Sequence, residues 1–124
     1  MIKTINEIID IENIKNEEIK ALFIEANNYM NSDNVENNMK ALLNYDKIIA
    51  LAEKIGDYAI WPKAYFGLYL VWANYCKKNK LQERSSLLLH FIDFATSYAE
   101  SFNQKELADK IWQVSEEYIE KEKE

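Results

Sequence analysis

AYFGLYLVWANYC, residues 64–76, contains one plainly polar residue, Asn74, in thirteen. A surface helix ordinarily carries an apolar stripe on one side and a wet face on the other. This stretch has no wet face. It is also too short to cross a bilayer, which needs about 20 consecutive apolar residues. Pro62 and Lys63 precede it, and Lys77 and Lys78 follow it. The remaining reading is a helix with neighbours on most sides, in the middle of a stack of helices. Ala64, Gly67 and Ala73 would let neighbouring backbones come close. Proline is tolerated in the first turn of a helix and not deeper, so Pro62 sets the start at residues 59–62. The end is predicted near Lys78.

Helix signals continue outward on both sides. Thr4-Ile5-Asn6-Glu7 has the form of a capping box and predicts a short helix ending near Glu12, within an N-terminal arm over residues 1–15. Asn16 ahead of Glu17 and Glu18 opens the next helix, because acids suit the positive end of the helix dipole. Ile19, Leu22, Phe23, Ala26 and Met30 form its apolar stripe. Asp33-Asn34-Val35-Glu36 is a second box, opening a helix to about Ile55. Its inner face is Leu42, Tyr45, Ile49 and Ala52, flanked by Ala41 and Ile48, and Gly56 supplies the stop.

After the quoted stretch, Asn79-Lys80-Leu81-Gln82 leads into a helix over residues 81–102. Asn103-Gln104-Lys105-Glu106 is a third box, with Phe102 and Leu107 placed as a hydrophobic staple. The last helix runs to residues 118–121 on a face of Leu107, Ile111, Val114 and Tyr118, and the tail at 121–124 is expected to fray. The fold class is therefore all-α: five to six helices in stacked antiparallel hairpins, with residues 16–120 forming the stack.

Composition agrees with one domain over residues 1–124. Two glycines and one proline are too few for sandwiches, barrels or glycine-rich phosphate loops. Hydrophobic residues at 48% and charged residues at 29% are those of an ordinary globular chain. The single Cys76 can make no internal disulfide and lies in the apolar run, which reads as a buried thiol in a reducing compartment. Asn6, Glu7 and Asp10 interrupt the first isoleucines, so no signal-peptide core forms, and a cytoplasmic location is expected.

The net charge is −6, with acidic ends and a slightly basic middle. Residues 1–36 carry eight acids and three lysines, and residues 101–124 carry seven acids and four lysines. The one dense basic stretch, KKNKLQER at 77–84, has no interleaved aromatic platform and reads as a solvated turn rather than a nucleic-acid site.

Sliding the chain by 46 or 47 residues places YMNSDNVE (29–36) over YCKKNKLQ (75–82) and AEKIGDYAI (52–60) over AESFNQKEL (99–107). Helix ends align with helix ends, giving about two and a half helix–turn–helix units. Leu51, Ala52, Glu53, Gly56 and Asp57, followed by Leu68, Val71 and Tyr75, resemble the junction between tetratricopeptide-type repeats. The chain departs from that pattern in its longer period, in Trp72 and Arg84 where small residues are preferred, and in having no proline after the second unit. The resemblance implies a stack of helical hairpins that binds a protein or peptide in a concave groove.

Chemistry-bearing constellations are few. One His and one Cys rule out the usual His/Cys metal clusters, and no cofactor is expected. Adjacent acids such as Glu17/Glu18 and Glu116/Glu117 point about 100° apart on a helix and do not form acid–base pairs. Arg84-Ser-Ser-Leu-Leu-Leu-His90 is similar to the Arg-x4–6-His signature of HEPN-type ribonucleases, which implies an alternative function as a ribonuclease acting through Arg84 and His90. Against it, Ser85 stands where a different polar residue is usual, and His90 falls on a wet stripe with Glu83, Ser86, Asp93, Ser97 and Glu100.

The aromatics of the quoted helix point elsewhere. Trp61, Tyr65, Leu68, Trp72 and Tyr75 share one stripe, and residues 61–75 hold more large rings than one buried face absorbs. The stripe reads either as core or as a partner-binding surface, and on the second reading Trp61, Tyr65, Tyr69 and Trp72 are the expected partner-binding residues. The expected function is a non-enzymatic interaction module, monomeric or homodimeric, with an inhibitor, immunity or antitoxin-like protein as one version and a peptide-sensing or chaperone-like module as another. Its partner is a protein or peptide with a basic surface, and neither nucleic acid nor membrane.

Overall fold

Asparagine side chains open the first two helices. Asn16 Oδ1 accepts from Ile19 N–H at 2.9 Å at the start of α1 (Glu17–Met30). Asn34 Oδ1 accepts from Glu36 N–H at 2.8 Å at the start of α2 (Val35–Ile55), with Asn34 itself extended. Such caps satisfy N–H groups that the helix leaves unpaired. The computed structural model describes residues 11, 13–30, 34–79 and 85–123, and their side chains except at 77–79, 85–87 and 117–123. The Thr4–Glu7 box lies outside the described residues, as does Asp33. Asn34 therefore holds the capping position one residue later than the expected box.

A 3-10 turn at Tyr58–Ile60 precedes α3 (Trp61–Asn79), followed by α4 (Ser85–Ser101) and α5 (Lys105–Lys123). The described residues are helical except in the joints, and no strand occurs among them. No helix among them is long and apolar enough to cross a membrane. Pro62 is the second residue of α3, within the turn the sequence assigned to it. Of the N-terminal arm, residues 11 and 13–15 are not helical. Ile14 N–H donates to Ile11 O at 3.3 Å, and both isoleucines are buried against the core. The last helix runs further than expected, to Lys123. Glutamate and lysine are strong helix formers, and nothing in EKEK breaks the pattern.

Each helix packs on the next in the chain. Within the first hairpin, Asn44 Nδ2 donates to Leu22 O at 3.4 Å, and the Phe23 and Tyr45 rings meet edge-on at 6.2 Å. With only four residues between Met30 and Val35, that register makes α1 and α2 antiparallel. In the second hairpin Trp61 meets Tyr98 while Tyr65 meets both Tyr98 and Phe94, so α3 and α4 also run opposite ways. Helix α3 touches both α2 and α4, which explains its nearly all-apolar sequence. Ala64, Phe66, Leu70 and Val71 are fully buried, and Gly67 lets the Tyr45 ring lie directly against the α3 backbone.

The helix stops repeat. After α2, Gly56 takes a left-handed φ of 76°. Its N–H donates to Glu53 O at 3.2 Å, and Asp57 N–H to Ala52 O at 2.9 Å. After α4, Asn103 takes a φ of 60°. Its N–H donates to Glu100 O at 3.2 Å, and Gln104 N–H to Ala99 O at 2.7 Å. These are two copies of one C-terminal capping motif. They fall on the residues that the 47-residue slide superposes. Asn103 thus ends α4 and does not open α5, as the expected third box required. Gln104 takes the opening position, and its Nε2 donates back to Ala59 O at 3.0 Å. The shift by one residue also removes the Phe102–Leu107 staple register.

The core of α2 is turned slightly from its expected face. Asn38, Ala41, Tyr45, Ile48 and Ala52 are buried, whereas Leu42 and Ile49 are only half-buried. A second packing partner, α3, pulls the buried sector round from the α1-facing stripe.

Candidate functional site

The exposed edge of α3 is narrow and aromatic. From Ala64 to Cys76 the only residues not buried are Tyr65, Trp72 and Tyr75. With Trp61 these are four of the five members of the stripe singled out in the sequence, and Leu68 is its buried member. Tyr69 lies in the core instead, 2% exposed and stacked on Phe66 at 5.9 Å between centroids. It falls one position beyond the stripe, about 100° round the helix. Trp72 is half-buried and meets Tyr75 edge-on at 5.8 Å, towards the far end of α3.

Trp61 and Tyr65 form a larger cluster with α4. Tyr65, Tyr98 and Phe94 lie with centroids 5.6, 5.6 and 6.4 Å apart. Their planes differ by between 16° and 38°. Trp61 stands across them, at 88° to Tyr65 and 72° to Tyr98. Tyr58 closes the end, 4.9 Å from Trp61 and at 88° to it. The cluster reaches solvent, with Phe94 49% and Tyr58 40% exposed.

Helix α2 forms the other side. The Trp61 indole Nε1–H donates to Ile49 O at 3.1 Å, which fixes the ring and shows which face of α2 abuts it. Asp46 and Glu53 lie three residues before and four after Ile49, on that same face. Burial first, then Tyr98, Asp46 and Glu53, raise the pKa of the Tyr65 hydroxyl above its ordinary value. Burial also raises the pKa of the Asp46 carboxyl.

Phe94, Tyr98, Tyr58, Asp46 and Glu53 were not among the partner-binding residues expected from the sequence, Glu53 having been read only as part of the repeat junction. The signal for two of them was present: Phe94 and Tyr98 are four apart and therefore on one face of α4. Of the ribonuclease pair, Arg84 lies outside the described residues, and His90 is exposed on α4 alongside Asp93, Ser97 and Glu100. Among the described residues no group of three or more His, Cys, Asp or Glu side chains is gathered to hold a metal ion.

By its fold the chain is an all-helical protein of packed consecutive hairpins, presenting a half-exposed aromatic surface flanked by carboxylates. No protein-family model, curated protein or solved structure matches it.

Proposed function

We propose that this chain is a non-enzymatic, cytoplasmic interaction module, a divergent tetratricopeptide-like stack that binds a protein or peptide partner as an inhibitor, immunity or antitoxin-like protein does. The observation that carries the reading is the cluster of Tyr58, Trp61, Tyr65, Phe94 and Tyr98, five rings from two helices and a 3-10 turn gathered at the surface. Tyrosine and tryptophan suit such surfaces because each offers a large, stiff apolar body with a polar tip. Two further features support it. The hydrogen bond from Trp61 holds the wall of the cluster in place before any partner arrives, and preorganised anchors lose little entropy on binding. The two equivalent helix stops at Gly56 and Asn103 favour a repeat origin.

The test is affinity capture on the immobilised protein from an extract of its native host, read by mass spectrometry. One stoichiometric protein is the expected result. RNA fragments that co-purify, and whose cleavage disappears in Arg84→Ala and His90→Ala variants of unchanged circular dichroism, would contradict it in favour of the nuclease.

A further inference from the structure

We propose that the occupant of the aromatic surface is an arginine side chain on a basic segment of the partner, its guanidinium laid on the rings of Tyr65, Phe94 and Tyr98 and its charge met by Asp46 and Glu53. This assignment rests on the interaction reading above and adds the chemistry of what is bound.

The ring geometry selects a planar cation. Three centroids at nearly equal mutual distances cannot form one stacked column, and 5.6 Å is too short for rings side by side in one plane, so Tyr65, Phe94 and Tyr98 form an offset, partly overlapping group, the floor, in which Phe94 is the most exposed ring. Trp61, nearly perpendicular to two of them, is a wall. The faces of aromatic rings carry the negative end of their quadrupole, so a floor and wall of rings attracts a cation. A flat guanidinium stacks on such a floor, whereas an ammonium is a compact, strongly hydrated point charge. The chain already uses a cation–ring contact internally, where Lys40 Nζ lies 5.6 Å from the Tyr29 centroid.

The charges on α2 point to the same occupant. Ile49 is bonded to Trp61, and Asp46 and Glu53 share its face one turn to either side. Lys47 and Lys54 each come one residue later, about 100° round the helix. Asp46 is an exposed carboxylate beside the ring cluster, partly covered so that its pKa is raised. An apolar partner would be served better by a neutral side chain there, whereas a cation makes that carboxylate an asset. The net charge of −6 adds long-range attraction for a basic partner.

The test is a solution NMR titration of the full chain with three short capped peptides, Gly-Arg-Arg-Gly, Gly-Lys-Lys-Gly and the same peptide with norleucine in place of the cations. The expected result is movement of the Tyr65, Phe94 and Tyr98 ring resonances, with the arginine peptide bound at least about threefold more tightly than the other two. Asp46→Asn and Glu53→Gln should each weaken it by about two- to fivefold, with the melting temperature maintained. Lysine bound as tightly as arginine would overturn the guanidinium assignment. Norleucine bound as tightly, with both carboxylate variants unaffected, would overturn the cationic assignment and leave the interaction reading intact. Silence of these rings towards all three peptides would overturn the assignment as well, and the affinity of the captured partner for Phe94→Ser would then decide the interaction reading separately.

Discussion

A Cβ built on Gly67 would come within 2.6 Å of Cζ and 2.8 Å of Cδ1 of the Tyr45 ring. Carbon atoms that are not bonded to each other do not pack that closely, and Tyr45 is wholly buried. This contact sets the distance between α2 and α3, and hence where Trp61 meets Ile49. Alanine in place of glycine would gain about 1 kcal/mol in helix propensity. Overpacking of a filled core takes back about 1–3 kcal/mol. Gly67→Ala should therefore lower the melting temperature, and an unchanged or raised value would show that the Tyr45 ring yields.

The Tyr45 hydroxyl is buried with no hydrogen-bond partner among the described residues. Tyr45→Phe should leave stability unchanged or raise it by up to about 1 kcal/mol, measured by denaturant unfolding at pH 7. Burial raises the Tyr45 pKa well above the ordinary tyrosine value. The folded state then holds this proton more tightly than the unfolded state. The corresponding stability is fully present below about pH 10 and is lost as pH rises beyond it. Wild type should thus lose stability steeply in alkali, and Tyr45→Phe less steeply. Tyr29 and Tyr65 are also shifted upward, so some slope should persist. Identical alkaline slopes would contradict this assignment.

Gly56 and Asn103 occupy the same left-handed position at the ends of α2 and α4. Gly56→Ala should cost about 1 kcal/mol, since only glycine enters that region without strain. Asn103→Gly should be neutral or stabilise by a few tenths to about 1 kcal/mol. Opposite signs in paired thermal melts are the expected outcome. Destabilisation by Asn103→Gly would mean that the asparagine side chain does more than tolerate the turn.

Helix existence was legible in the sequence, because caps, glycine and proline act locally: Asn16, Gly56 and Pro62 each sit where local rules put them. Boundaries slipped by one residue at Asn34 and Gln104: adjacent Asp33 and Asn34 are both able to cap, and Asn103 is already used by the left-handed end of α4. The stripe of Trp61, Tyr65, Trp72 and Tyr75 was readable from spacing. Which side of α3 it occupied was not, because a helix that is apolar all round gives no inside–outside contrast. Tyr69 was misplaced for that reason. Phe94, Tyr98, Asp46 and Glu53 join the surface only through packing of α2 and α4 on α3, which no local pattern encodes.

Asp46 separates binding from folding. Its folded-state pKa is raised by burial, so any stability linked to its protonation is present at acid pH and lost as pH rises through that value. At pH 7 its charge therefore does not support the fold. Asp46→Asn should melt at or slightly above the wild-type temperature while binding the partner more weakly. A clear drop in melting temperature would make Asp46 a structural residue.

The most direct measurement is the affinity of the captured partner for Phe94→Ser, taken with thermal unfolding of the same sample. Phe94 is half exposed, so loss of its packing on Tyr65 and Tyr98 should cost about 1–2 kcal/mol of stability and leave the protein folded, whereas loss of an interface anchor typically costs about 2 kcal/mol of binding, roughly thirtyfold in affinity. The expected result is a folded protein with melting lowered by a few degrees and binding weakened to about that degree. Wild-type affinity in a folded Phe94→Ser protein would show that the partner docks elsewhere and would contradict the account.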